Sequence, residues 1–158
     1  MLSKRAVAEE LGGFDEDFFM HMEEIDLSWR MMLAGYRVQS VPSSVVLHEG
    51  GASLQAGSAE KIYFNHRNNV TMLLKNRSVT ALVWILPLRL LLEFAAALFY
   101  LTQFPGGMKK SGAVFRALAC NIRRFTGTMK KRRMVQSLRV VDDRTIFRHA
   151  PLSLLYRN

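Results

Sequence analysis

Hydrophobic and polar positions follow one pattern up to about residue 78 and another beyond it. Residues 4–11 read as a short helix that stops at Gly12-Gly13, where glycine can take the left-handed cap conformation. Residues 14–22 mix aromatics with acids too irregularly for a regular helix. From Glu23 a helical period sets in. Ile25, Trp29, Met32, Leu33 and Tyr36 fall at i, i+4, i+7, i+8 and i+11, which is one face, and Gly35 is a natural stop. Asp26 and Arg30 are spaced to pair along that helix, a contact worth a few tenths of a kcal/mol if exposed. "YRVQSVPSSVVLH" then predicts two short strands broken by Pro42. "HEGGASLQAGS" is a loop, and Ser58 can cap a further helix that runs to about Asn76.

The second pattern begins at Val79. "VTALVWILPLRLLLEFAAALFYLTQF" runs for 26 residues with only Arg89 and Glu93 charged. At about 1.5 Å per residue it is long enough to cross a bilayer. Three features favour a helix lying in one leaflet instead. The two charges sit near its middle, where each costs roughly 2.5–3.5 kcal/mol. Pro87 kinks it, and Lys75 and Arg77 before it and Lys109 and Lys110 after it make both flanks basic. "FPGG" then turns the chain, and residues 111–136 predict a second, more basic amphipathic helix whose "RRFTGTMKKRR" would face anionic headgroups. The alternative is a buried helix of a soluble protein followed by a solvated basic one.

Charge sharpens the division. Residues 1–78 carry 8 Lys/Arg and 10 Asp/Glu, while residues 79–158 carry 14 and 3, within a chain of net charge +9. The basic half points to phosphates, of lipid or of nucleic acid. Its cations are interleaved with long aliphatics rather than exposed stacking aromatics, which argues against nucleic acid. A lone cysteine, Cys120, excludes an internal disulfide, and the first thirteen residues lack the apolar core of a signal peptide. No CxxC, GxSxG, P-loop or GxGxxG is present, so metal-cluster, hydrolase and nucleotide-loop chemistry have no support.

Two local patterns can carry chemistry. Six of the thirteen acids, Asp15, Glu16, Asp17, Glu23, Glu24 and Asp26, crowd into "GGFDEDFFMHMEEID" among Phe and Met. An acid held at an apolar helix start can act as a general base, or the acids can simply cap the helix against its dipole. His48, before Gly50-Gly51, can supply one ligand to a divalent metal or be a hydrogen-bonded structural residue.

Their order carries a resemblance. "ELGGFDEDFFMHMEEIDLSWRMMLAGYRVQSVPSSVVLHEGGAS" resembles the second half of the catalytic domain of family 2 glycosyltransferases, the rhamnosyltransferase-like inverting enzymes of bacterial polysaccharide assembly. The shared features are the GGFDE-x-FF entry, the acidic helix start followed by D-L-x-x-R and A-G-Y, the Pro-terminated strand and the H-x-G-G-x-S loop. "HRNNVTMLLKN" looks like the Arg-Asn helix that follows in these enzymes, and the apolar helix pair like their membrane-associating tail.

The resemblance implies an α/β fold: residues 1–78 would be the acceptor-side half of a GT-A (nucleotide-diphospho-sugar transferase) domain. Residues 79–136 would be a membrane-associating helical pair, and 137–158 a C-terminal tail. It implies that Glu24 falls where the family has the Asp of its "ED" pair and deprotonates the acceptor hydroxyl. Asp15, Glu16, Glu23, Trp29 and Arg30 would form the acceptor wall, and His48 would help hold a Mg or Mn ion. Arg89, Lys109, Lys110, Arg123, Arg124, Lys130 and Lys131 would meet the membrane. The implied partners are a nucleotide-diphospho-sugar donor, a glycan or lipid-linked acceptor, and the cytoplasmic face of the bacterial inner membrane, in peripheral or monotopic contact. The family's nucleotide-binding half, with its Asp-x-Asp metal motif, has no counterpart in these residues. The chain alone is therefore expected to be inactive, and residues 1–78 are not expected to bury a full core by themselves. The rival reading is a non-enzymatic membrane-associated remnant or interaction module.

Overall fold

The computed structural model describes residues 3–39, 41–45 and 55–147. Among them the α-helices are, in order, α1 (Arg5–Glu10), α2 (Glu23–Leu33), α3 (Ala59–Asn76), α4 (Val79–Leu101), α5 (Gly107–Arg123), α6 (Phe125–Ser137) and α7 (Asp143–Phe147), with a 3₁₀ turn at Glu16–Phe18. No strand occurs among the described residues, so the α/β expectation is corrected to a helical architecture. The physical reason lies in residues 36–45, where two strands were expected. A strand needs a neighbouring edge for its N–H and C=O groups, and no described segment offers one. Residues 37–39 and 41–45 are instead exposed, and Ser44 N–H turns back to the Val41 carbonyl around Pro42. The rest of the second expected strand, residues 46–48, lies outside the described residues.

The helix α3 is central. Ser58 caps it by accepting a hydrogen bond from Lys61 N–H at 3.2 Å, which the sequence anticipates. It runs beside α5 and α6, with α2 and α4 packed on its other flanks. Its last carbonyls, which have no partner within the helix, are taken by side chains of α6 and of the segment after it. Arg132 reaches Leu74 O at 2.7 Å and Arg77 O at 2.6 Å, Gln136 reaches Lys75 O at 3.1 Å, and Arg139 reaches Asn76 O. The expected single helix over 111–136 is two helices, beginning earlier at Gly107 and breaking at Arg124, whose side chain turns to Asp17.

Three apolar clusters fill the interior. Phe18, Trp29, Leu33, Met72 and Val135 join the 3₁₀ turn, α2, α3 and α6. Leu11, Leu27 and Met31 tie α2 to the end of α1. Ile62, Ala97, Ala113 and Val114 join α3, α4 and α5. The approach of α5 to α4 depends on Gly107, where a Cβ would stand 2.4 Å from the Tyr100 carbonyl oxygen. The predicted face of α2 holds only in part. Trp29 and Leu33 are buried, but Ile25 and Tyr36 are exposed, because α2 is covered on two sides and buries Leu27 and Met31 as well. Asp26 and Arg30 pair as their spacing predicts, and both are buried.

Candidate functional site

The acid-rich segment before α2 is folded by polar contacts rather than by regular structure. Phe19, His21 and Met22 all have positive φ (60°, 64° and 71°), a conformation that costs non-glycine residues energy and needs support from the surroundings. The support comes from α3. Asn68 Nδ2 lies 3.1, 2.7 and 2.9 Å from the carbonyls of Phe18, Met20 and His21, and Arg67 Nη2 donates to those of Asp17 and Phe18 at 2.7 and 2.8 Å. The adjacent Arg67-Asn68 pair thus clasps the chain just ahead of Glu23 and Glu24. The resemblance marks "HRNN" as part of an Arg-Asn helix, but its contact with the acid loop was not legible in the sequence.

Beneath the loop lies a buried ionic network, of which sequence reasoning foresaw only the Asp26–Arg30 pair. Lys75 Nζ bonds Asp15 Oδ2 at 2.6 Å and Asp26 Oδ2 at 2.8 Å, and lies 4.8 Å from the centroid of the Phe18 ring. Asp26 also accepts from Arg30 Nε and Asn76 Nδ2, both at 2.8 Å. Arg30 continues to the carbonyls of Leu11 and Gly13. Lys131 reaches both Asp15 and Asp17, and Arg124 reaches Asp17. Burial alone would raise the Asp15 carboxyl, but the ammonium groups of Lys131 and Lys75 outweigh it and hold the group down at about 2. The available signal was the run of polar residues, Asn68, Lys75 and Asn76, on the same helical side as the core residue Met72.

These contacts sort the acids. Asp15, Asp17 and Asp26 are held by cations, whereas Glu16, Glu23 and Glu24 have no ion pair among the described residues. Phe14, Asp15, Glu16, Phe19, Glu23 and Glu24 together line a cavity of about 570 Å³. Glu24 is exposed in it, and Glu23 Oε2 is buried without a hydrogen-bond partner among the described residues. Arg30 lines a second cavity of about 290 Å³, which shares Phe14, Asp15 and Glu16 with the first. Trp29 borders neither. It sits in the core with its ring edge-on to Phe147, centroids 5.2 Å apart, under the Arg77 guanidinium. His48 lies outside the described residues. Among the described residues no three His, Cys, Asp or Glu side chains converge to hold a cation, so the implied metal has no fitting site there.

On the far side of α3, α4 exposes Val79, Val83, Trp84, Leu88, Leu91 and Leu98, and only Glu93 and Ala97 of its 23 residues are fully buried. By length and composition it could cross a membrane. Its two charges turn inward: Glu93 pairs with Arg89 (Nε to Oε1, 2.7 Å) and with His66 of α3. Of the other cations expected to meet a membrane, Arg124 and Lys131 are bound to the acid loop and Lys110 donates to Gln103. Lys109, Arg123 and Lys130 are exposed and have no acid partner among the described residues.

No family model matches the chain, and no solved structure does. Two curated relatives from Mycobacterium tuberculosis, strains CDC 1551/Oshkosh and ATCC 25618/H37Rv, are 35% identical to it over 98 residues. Both are named N-acetylglucosaminyl-diphospho-decaprenol L-rhamnosyltransferase. The chain is similar to a rhamnosyltransferase. The match takes in 62% of this chain and 31% of each relative, so the chain spans about a third of the length of the enzymes it matches. Over that stretch it is glycosyltransferase-like.

Proposed function

We propose that this chain forms the acceptor side of an inverting glycosyltransferase of bacterial cell-surface glycan synthesis. It acts at the cytoplasmic face of the membrane, where a sugar passes from a nucleotide diphosphate to a lipid-linked acceptor. One observation carries the reading: in a loop whose aspartates are neutralised by lysine and arginine, Glu24 stays exposed and without an ion pair among the described residues, in a cavity walled by aromatics. A carboxylate already bound to ammonium groups is a poor proton acceptor; an unpaired one is available. Glu24 takes the proton of the acceptor hydroxyl as its oxygen bonds to the anomeric carbon. The bond from that carbon to the nucleotide diphosphate breaks, and the configuration inverts. The names of the relatives support a lipid-linked acceptor, and the apolar face of α4 supports a site that works against a bilayer.

The test uses the native gene in cells deleted for it. Glu24→Gln should lower sugar transfer to the membrane acceptor by about 10²–10⁴, the usual loss of a general base, while protein level and membrane attachment stay unchanged. Full complementation by Glu24→Gln would overturn the assignment. If Glu23→Gln is the inactive variant, the base is its neighbour. The rival reading, a membrane-attached module without catalysis, is favoured if neither variant matters and removal of the apolar face does.

A further inference from the structure

Helix α5 carries two stripes at seven-residue spacing. Met108, Phe115 and Ile122 are exposed and apolar, and the position after each is an exposed cation: Lys109, Arg116 and Arg123. Seven residues make nearly two turns, so each set aligns along the helix and the stripes run side by side. On the basic side, Tyr63 and Phe64 of α3 face Arg116, Cys120 and Arg123 across a groove of about 650 Å³. The Arg116 guanidinium lies 6.0 Å from the Tyr63 ring centroid, and Arg123 Nη2 bends to 4.0 Å from Cys120 Sγ, so the two converge from either side of that cysteine. Neither has a carboxylate partner among the described residues, although Arg124 and Lys131 nearby are both held by acids. Glu60 also lines the groove and leaves the lining net positive. Burial opposes ionisation of the Cys120 thiol, yet hydrogen bonds from Tyr63 and Arg123, with the nearby Arg67 and Arg124, hold it below the usual thiol range.

The groove adjoins the acid-lined cavity. Phe64, in its wall, stacks on Phe19 at 5.4 Å between centroids, and Phe19 borders the cavity that contains Glu24. We propose that the α3–α5 groove binds the diphosphate of an isoprenoid-diphosphate-linked acceptor. The phosphates sit between Arg116 and Arg123, the isoprenoid runs along Met108, Phe115 and Ile122, and the sugar crosses the Phe19–Phe64 stack toward Glu24. The identity of the ligand rests on the acceptor reading above; the placement rests on the two stripes and the stack. Guanidinium forks match phosphate oxygens in a bidentate way that ammonium groups do not. A nucleotide diphosphate shares the headgroup chemistry but has no use for an exposed apolar stripe alongside it. That stripe is what selects the lipid.

The test is calorimetric titration of the full 158-residue chain in neutral detergent with farnesyl diphosphate, farnesol, dTDP and inorganic pyrophosphate. Farnesyl diphosphate should bind at least tenfold more tightly than each of the others. Arg116→Gln/Arg123→Gln should weaken it tenfold or more with an unchanged circular dichroism spectrum and melting temperature. Arg116→Lys/Arg123→Lys, which keeps the charge and loses the forks, should fall between. The charge-matched control Arg37→Gln/Arg144→Gln should bind as the parent does. Unchanged binding in the Gln double variant overturns the proposal. So does dTDP binding with equal strength through the same arginines, or equal displacement of farnesyl diphosphate by phosphatidylglycerol vesicles, which would make the groove a general anion surface. Glu24→Gln should leave this binding intact. Failure of the catalytic reading therefore shows in the transfer assay, and failure of the groove shows here.

Discussion

The loop between α1 and α2 and the long helix α4 both bury ionised side chains, and the uses differ. In the loop, Asp15 and Asp26 meet Lys75 and Arg30 in a network that links the loop, α2, α3 and α6, and the chain around it takes conformations its residues disfavour. In α4 the single cluster of Glu93, Arg89 and His66 gathers charge on the inner side, so that the outer side is apolar along its length. The first arrangement fixes a shape that presents Glu24. The second turns one surface into a face that water does not favour. Buried charge is therefore no single signal: what matters is which neighbouring groups are left uncommitted.

The comparison can be broken most forcefully at Asp26. Asp26→Ala leaves Lys75 and Arg30 short of their common partner and should cost about 3–5 kcal/mol, the usual loss on breaking a buried ion pair; urea unfolding in neutral detergent measures it. If the loss stays below 1 kcal/mol, the network does not hold the loop. Asn68→Ala comes next. It strands the carbonyls of Met20 and His21 and should cost about 1–3 kcal/mol. Sugar transfer should fall further than stability explains, because Glu24 loses its placement. A transfer rate unchanged at full folding would separate the clasp from the site.

Acid should loosen the loop through Asp15. The folded-state pKa of Asp15 is about 2 against an ordinary 3.8. Its contribution, about 2 kcal/mol, is thus present above pH 4 and is lost as the pH falls from about 4 to about 2. Asp15→Asn should flatten the stability profile in that window, and an equally steep profile would assign the acid sensitivity elsewhere. The smallest effect on folding is expected at Trp84, which is 80% exposed on α4. Trp84→Ser should change stability by less than about 0.5 kcal/mol and yet weaken binding to lipid vesicles several-fold in a flotation assay. A large stability loss with unchanged flotation would mean that this face is covered by protein rather than lipid.

What the sequence determined by itself is local. Ser58 at its cap, the stop near Asn76, the apolar length of α4 and the start of α2 at Glu23 depend on neighbours within a turn or two, where spacing and propensity act directly. The likeness to glycosyltransferases was likewise legible, because it rests on the order of short motifs. The tertiary structure decided the rest. The expected strands found no edge to pair with among the described residues. The spacing of Asp26 and Arg30 foretold their pairing, but not the burial that Lys75 and Asn76 bring to Asp26 from forty-nine and fifty residues along the chain. Which of six crowded acids remain unpaired was set by Lys131 and Arg124, more than a hundred residues away. Local spacing cannot encode such partners. A charge is stabilised by whatever cation folding brings within a few ångströms of it, whatever the separation along the chain.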